Sequence, residues 1–263
     1  MTWLEAALRR ERLVLAAALA AISALSWFYL WHGAGMGMSA WDMTAASLFP
    51  HRLPAIPGEM DAPYLVVVLM WWVMMIAMMT PSAAPLILLH ALVLRRQSAN
   101  GPDASLLPLL LLLGYLTAWL GFSLGVGLLQ IALQPTGLLS DMMLWSRNAW
   151  FSAALLGAAG AYQFSPLKRV CLAQCRNPAM FLTRHWRPGA TGAFGLGLRH
   201  GAFCLGCCWL LMLLLFVGGI MNLLWIAALT LLVLLEKLSP RGEWVSQATG
   251  ALLFVWALAT MLA

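Results

Sequence analysis

Apolar residues in this chain run in long unbroken stretches, and the polar residues gather in the gaps between them. A stretch of about 20 mostly apolar residues is long enough to cross a bilayer as a helix. Seven segments can be marked: Leu13 to Trp31, Tyr64 to Leu94, Leu106 to Leu133, Ala149 to Phe164, Phe194 to Val217, Ile220 to Leu235 and Trp244 to Leu262. The first has the Ala-rich look of a secretion signal. Its apolar run nevertheless continues through Trp27, Phe28, Tyr29, Leu30 and Trp31, which predicts a retained span ending in an aromatic belt. The second contains Pro81 and Pro85, each lacking an N–H and crowding the preceding turn, which predicts an interrupted helix. A polar, Gly- and Pro-rich connection covers 32–62, and a basic one covers 165–193. The pattern predicts an all-α, polytopic transmembrane helix bundle of about seven spans, forming a single integral membrane domain over 1–263.

The basic residues orient this bundle, because cytoplasmic loops carry the Lys/Arg excess. With the N-terminus inside, the inner side collects Arg9, Arg10, Arg12, Arg95, Arg96, Lys168, Arg169, Arg176, Arg184, Arg187, Arg199, Lys237 and Arg241. Only Arg52 and Arg147 fall outside. The split places the N-terminus in and the C-terminus out. Small-residue pairs at Gly121/Gly125, Gly157/Gly160 and Gly197/Gly201 predict close helix approaches.

Composition agrees with a lipid environment: 63% of residues are hydrophobic and 9% charged, against roughly 25% charged in soluble domains. The net charge of +6 lies in short loops and has no solvated, aromatic-rich face, so it does not point to nucleic acid. Five cysteines in two tight groups do not form an extracellular disulfide framework.

Those cysteines carry the chemistry. In the fifth span, His200, Cys204 and Cys208 follow one another at i,i+4, with Cys207 at i,i+3 from Cys204, so one helix face presents an imidazole and two or three sulfurs. Small apolar residues would pack as well, so this face reads as a metal or redox site ahead of simple filler. In the second span Met70, Met74 and Met78 form one row and Met75 and Met79 another. Alone such rows suit core packing against Trp71 and Trp72. Beside a cysteine face, Met74 and Met78 become soft ligands of the kind that select copper(I). In the outer connection, Met36 and Met38 lie near His32 and suit metal pick-up. On the inner side Cys171 and Cys175 stand at i,i+4 among Lys168, Arg169 and Arg176, whose charge should favour thiolates. Glu236 and Lys237 are adjacent, hence turned apart on a helix, and read as ordinary boundary residues.

Several of these stretches resemble a bacterial family of predicted metal-binding integral membrane proteins, a domain of unknown function. The matching residues are Met70-Trp71 through Met79 and Pro81, Tyr162-Gln163 with Pro166-Leu167-Lys168, Cys171, Cys175-Arg176, His200-Gly201, Cys204, Gly206 to Trp209, Met212, Met221-Asn222 and Glu236-Lys237. The resemblance covers most of the chain from the second span onward and implies a membrane fold and a metal link, without an established activity. The expected function is a copper-binding membrane protein that transports or delivers metal. Its partners would be the lipid bilayer, the metal ion, and a periplasmic metal carrier or membrane enzyme. The alternatives are a membrane oxidoreductase, of thiol-disulfide or copper-dependent oxygenase type, and a structural assembly factor.

Overall fold

Backbone N–H and C=O groups removed from water must satisfy one another, and a long apolar stretch does this most simply as a helix. The computed structural model, which describes residues 3–33, 44, 63–97, 103–140 and 144–262, is helical throughout its regular structure, with no strand among the described residues. The long helices are α1 (Trp3–Trp31), α2 (Tyr64–Gln97) and α3 (Asp103–Leu133). There follow α4 (Ala149–Gln163), two short helices α5 (Pro166–Arg176) and α6 (Pro178–His185), and then α7 (Gly189–Leu213). A single turn α8 (Leu215–Gly218) leads to α9 (Leu223–Leu238) and α10 (Gly242–Leu262).

Among the described residues, five helical segments are long and apolar enough to cross a membrane: Leu13–Trp31, Tyr64–Arg96, Leu106–Thr136, Gly189–Gly218 and Gly242–Leu262. The stretches expected as the fourth and sixth spans form α4 and α9, which are apolar but only 15 and 16 residues long.

The interruption expected at Pro81 and Pro85 is absent, for α2 is assigned as one helix through both prolines. Pro81 deprives the Ala77 carbonyl of its usual donor four residues on. Ser23 of α1 supplies a replacement, its hydroxyl donating to Ala77 O at 3.2 Å. A donor from a neighbouring helix is what makes proline tolerable inside an apolar helix.

Helix α3 packs most extensively on α7, α1 and α3 each pack on α2, and α4 packs on α10. The α3–α7 contact is backbone to backbone: a Cβ at Gly197 would lie 1.9 Å from Leu111 O, and one at Gly114 would lie 2.1 Å from Phe194 O. Of the expected small-residue pairs, Gly197/Gly201 lies at this interface. Gly160 instead meets Gly250 of α10, while Gly121, Gly125 and Gly157 touch nothing within 4 Å. Spacing alone identifies small residues but not which of them faces a neighbour.

Candidate metal centre

Helix α7 buries the face that carries His200, Cys204, Cys207, Cys208 and Met212, and leaves Ala202 and Trp209 on the exposed side. The fixed approach of α3 brings Tyr115 against this face, with its hydroxyl 3.0 Å from Cys204 Sγ and 3.0 Å from the Met79 carbonyl oxygen. From α9, Lys237 reaches into the same space. Its ammonium donates to Cys204 Sγ at 2.9 Å and Ser82 Oγ at 3.3 Å, and lies 3.9 Å from Met79 Sδ. Residues of α2, α3, α7 and α9 thus meet around one buried thiol.

The short helix α5 adds the inner cysteines. Ser165 caps it by accepting from Lys168 N at 3.1 Å, and Pro166 opens its first turn, an arrangement that suits both residues. The helix then buries Lys168, Cys171 and Leu172 against the bundle. Cys171 fits because position 206 is glycine, where a Cβ would lie 2.8 Å from Cys171 Sγ. One turn on, Cys175 lies beside Cys204 and Cys207, and these two cysteines, then burial, hold its thiol well above the ordinary range, while burial followed by the nearby Cys207 raises Cys171.

The expectation that basic neighbours would lower these two thiols therefore does not hold. Lys168 points to Glu236, with Nζ 2.8 Å from Oε2, and Arg176 donates to the backbone carbonyls of Ser239 and Pro240. Both charges are already engaged.

Of the ten residues singled out from the sequence, the structure brings Cys175, Cys204, Cys207 and Cys208 together, with Cys171 alongside. His200 is buried one turn from Cys204, its ring centroid 5.8 Å from that of Tyr115, and its Nδ1 has no hydrogen-bond partner among the described residues. Met74 and Met78 are fully buried on α2, but it is Met79, from the other methionine row, whose sulfur shares Lys237 with Cys204. Met36 and Met38 lie outside the described residues.

Sequence reasoning missed Tyr115 and Ser82, and it misjudged Glu236 and Lys237. The signal available was chemical: a carboxylate and an ammonium inside an otherwise apolar run are costly to bury unless each has a partner.

The matched family fits this donor set. A family model described as a copper chaperone, PpoB2, matches residues 68–260. The chain belongs to this copper chaperone family. No curated protein and no solved structure matches it. The matched region holds every centre residue named above and leaves out Met36 and Met38. For a copper chaperone the metal is cargo, and thiolate and thioether sulfur are the donors that hold copper(I).

The donors do not stand as a closed ligand set. Among the described residues no group of three or more His, Cys, Asp or Glu side chains is arranged to hold a metal ion. Cys207 and Cys208 each turn their thiol toward the Cys204 carbonyl oxygen at 3.0 Å. All five cysteines are unbridged.

Proposed function

We propose that this member of the copper chaperone family is an integral protein of the bacterial inner membrane that binds copper(I) within its helix bundle and hands it to a partner. In this reading α4 and α9, with the residues flanking each, complete seven spans, the N-terminus lies in the cytoplasm and the C-terminus outside. The 13-to-2 division of Lys and Arg supports that orientation. An export reporter fused after Ala263 and active only in the cytoplasm would overturn it.

Cys204 is the central ligand. Cys207, Cys208, His200 and Met79 complete its coordination as copper arrives, Met74 and Met78 supply further thioethers along α2, and Met36 and Met38 collect metal outside. Cys175, with Cys171 beside it, takes the ion toward the inner face. The observation that carries the reading is the meeting of the buried sulfurs of Cys204 on α7 and Met79 on α2 around one ammonium, with Cys207 and Cys208 on the same buried face of α7. The family's description as a copper chaperone supports it.

The test is elemental analysis of protein purified anaerobically with copper(I), comparing wild type with a variant in which Cys204, Cys207 and Cys208 are all serine. The expected result is bound copper in wild type and its loss in the variant. Equal copper in two folded proteins would refute the assignment.

A further inference from the structure

Lys237 is the one group at this centre whose presence a soft-metal site does not explain. A cation placed among metal ligands repels the metal, and a buried ammonium normally needs a carboxylate. Among the described residues no carboxylate pairs with it. The adjacent Glu236 is turned to the other side of α9, where Lys168 and the Gln163 side chain hold it at 2.8 and 3.1 Å. The groups that face the Lys237 ammonium are Cys204 Sγ, Met79 Sδ and Ser82 Oγ, with Tyr115 bonded to the same cysteine. The residue itself is 5% exposed, so water screens its charge poorly.

We propose that Lys237 sets the charge of the metal this centre accepts, favouring a monovalent ion over a divalent one. The inference rests on the copper(I) reading of the site. With Cys204 and one of Cys207 and Cys208 ionised and the remaining thiol a neutral donor, two thiolates and one ammonium carry a net charge of −1. Copper(I) or silver(I) brings that set to neutrality, whereas zinc(II) or cadmium(II) leaves an uncompensated positive charge in an apolar interior, where such a charge is costly. Without the ammonium the same two thiolates carry −2, and a divalent ion becomes the neutralising one. The thiols that become ligands release their protons to solvent whichever metal enters, so the difference between metals lies in the fixed charge of Lys237. Thiolate sulfur binds soft and borderline ions alike, zinc included, and the lysine adds a discrimination that sulfur by itself lacks.

The experiment compares wild type, Lys237→Met, Lys237→Gln and Lys237→Arg, each purified in detergent and titrated with silver(I), an air-stable monovalent probe, and with cadmium(II). Bound metal is read by elemental analysis and by the ultraviolet thiolate-to-metal absorption. Wild type and Lys237→Arg are expected to prefer silver. The neutral variants should shift the silver-to-cadmium preference by roughly tenfold or more toward cadmium, since specificity is a difference of two affinities and the lysine charge weighs more heavily against a divalent ion than a monovalent one. A lysine that only packs would lower both affinities together.

A folded neutral variant that keeps the wild-type ratio overturns the proposal, as does Lys237→Arg shifting like Lys237→Met. Should the methionine variant not fold, the glutamine and arginine variants decide in the same way. Wild type that takes up neither silver(I) nor copper(I) through Cys204 would instead sink the copper reading beneath it.

Discussion

The Lys168–Glu236 pair offers a quantitative test of the fold that needs no metal. Both side chains are 1% exposed, with Nζ 2.8 Å from Oε2. The carboxylate has a second donor in Gln163 Nε2 at 3.1 Å, and Gln163 in turn accepts from Ser246 Oγ at 2.8 Å. The network ties together α4, α5, α9 and α10. Replacing Lys168 with methionine keeps the side-chain volume and leaves the carboxylate with a neutral donor only. Breaking a buried pair in this way costs about 3–5 kcal/mol, because the remaining charge stays out of water. At about 1.4 kcal/mol per tenfold, that is roughly two to three and a half orders of magnitude in the folding equilibrium. The double variant Lys168→Met/Glu236→Met removes both charges and should regain most of the loss, since a buried pair replaced by apolar groups is often neutral. The assay is reversible unfolding in mixed micelles with increasing denaturing detergent, read by tryptophan fluorescence for wild type, both single variants and the double variant. A cost below about 1 kcal/mol for Lys168→Met would match a solvated surface pair and refute the reasoning. So would a double variant as unstable as the sum of the single ones.

Three further outcomes follow from contacts elsewhere. Carbon and carbonyl oxygen approach to about 3.3 Å, so Gly197→Ala, whose Cβ would lie 1.9 Å from Leu111 O, must drive α7 back by roughly 1.4 Å. The expected loss is about 1–3 kcal/mol of stability, with weaker copper retention measured by dialysis against a chelator. Ser23→Ala removes the donor to the carbonyl freed by Pro81 and should cost about 0.5–1.5 kcal/mol in the same unfolding assay. Ser26→Ala, whose hydroxyl only donates to Ile22 O within its own helix, should cost less. Cys175 is only partly buried, so it should react with maleimide ahead of Cys204, Cys207 and Cys208. Copper(I) should slow that reaction if Cys175 joins the bound state, and mass spectrometry of the labelled peptides measures it.

The helical fold, the position of each long apolar element and the inward cysteine face of α7 could be read from the chain, because length, apolarity and i,i+4 spacing are local properties. The course of α2 through Pro81 could not. The carbonyl that Pro81 frees is met by Ser23, 54 residues earlier in the chain, and no local rule assigns a donor to Ala77 O at that distance. Methionine spacing likewise identified two rows on α2, but only the placement of α9 decides that Met79 meets the cysteine face. The same holds for the charges. Lys168, Glu236 and Lys237 look like the basic and acidic punctuation of a membrane boundary, and it is the docking of α5 against α9 that buries the first two and the approach of α2 and α7 that encloses Lys237.

Adjacency of Glu236 and Lys237 matters because neighbours on a helix diverge by about 100° and cannot pair with each other. One residue therefore points toward α5 and the other toward α7. Lys168 binds the carboxylate on one face of α9, and on another Lys237 meets sulfur. Had Lys168 been apolar, Glu236 would have been the unpaired charge, and Lys237 could not have relieved it from the far side of α9. The carboxylate pair and the sulfur centre thus occupy two different faces of α9. That separation keeps a carboxylate, a hard ligand suited to hard and divalent ions, away from a centre whose other donors are soft.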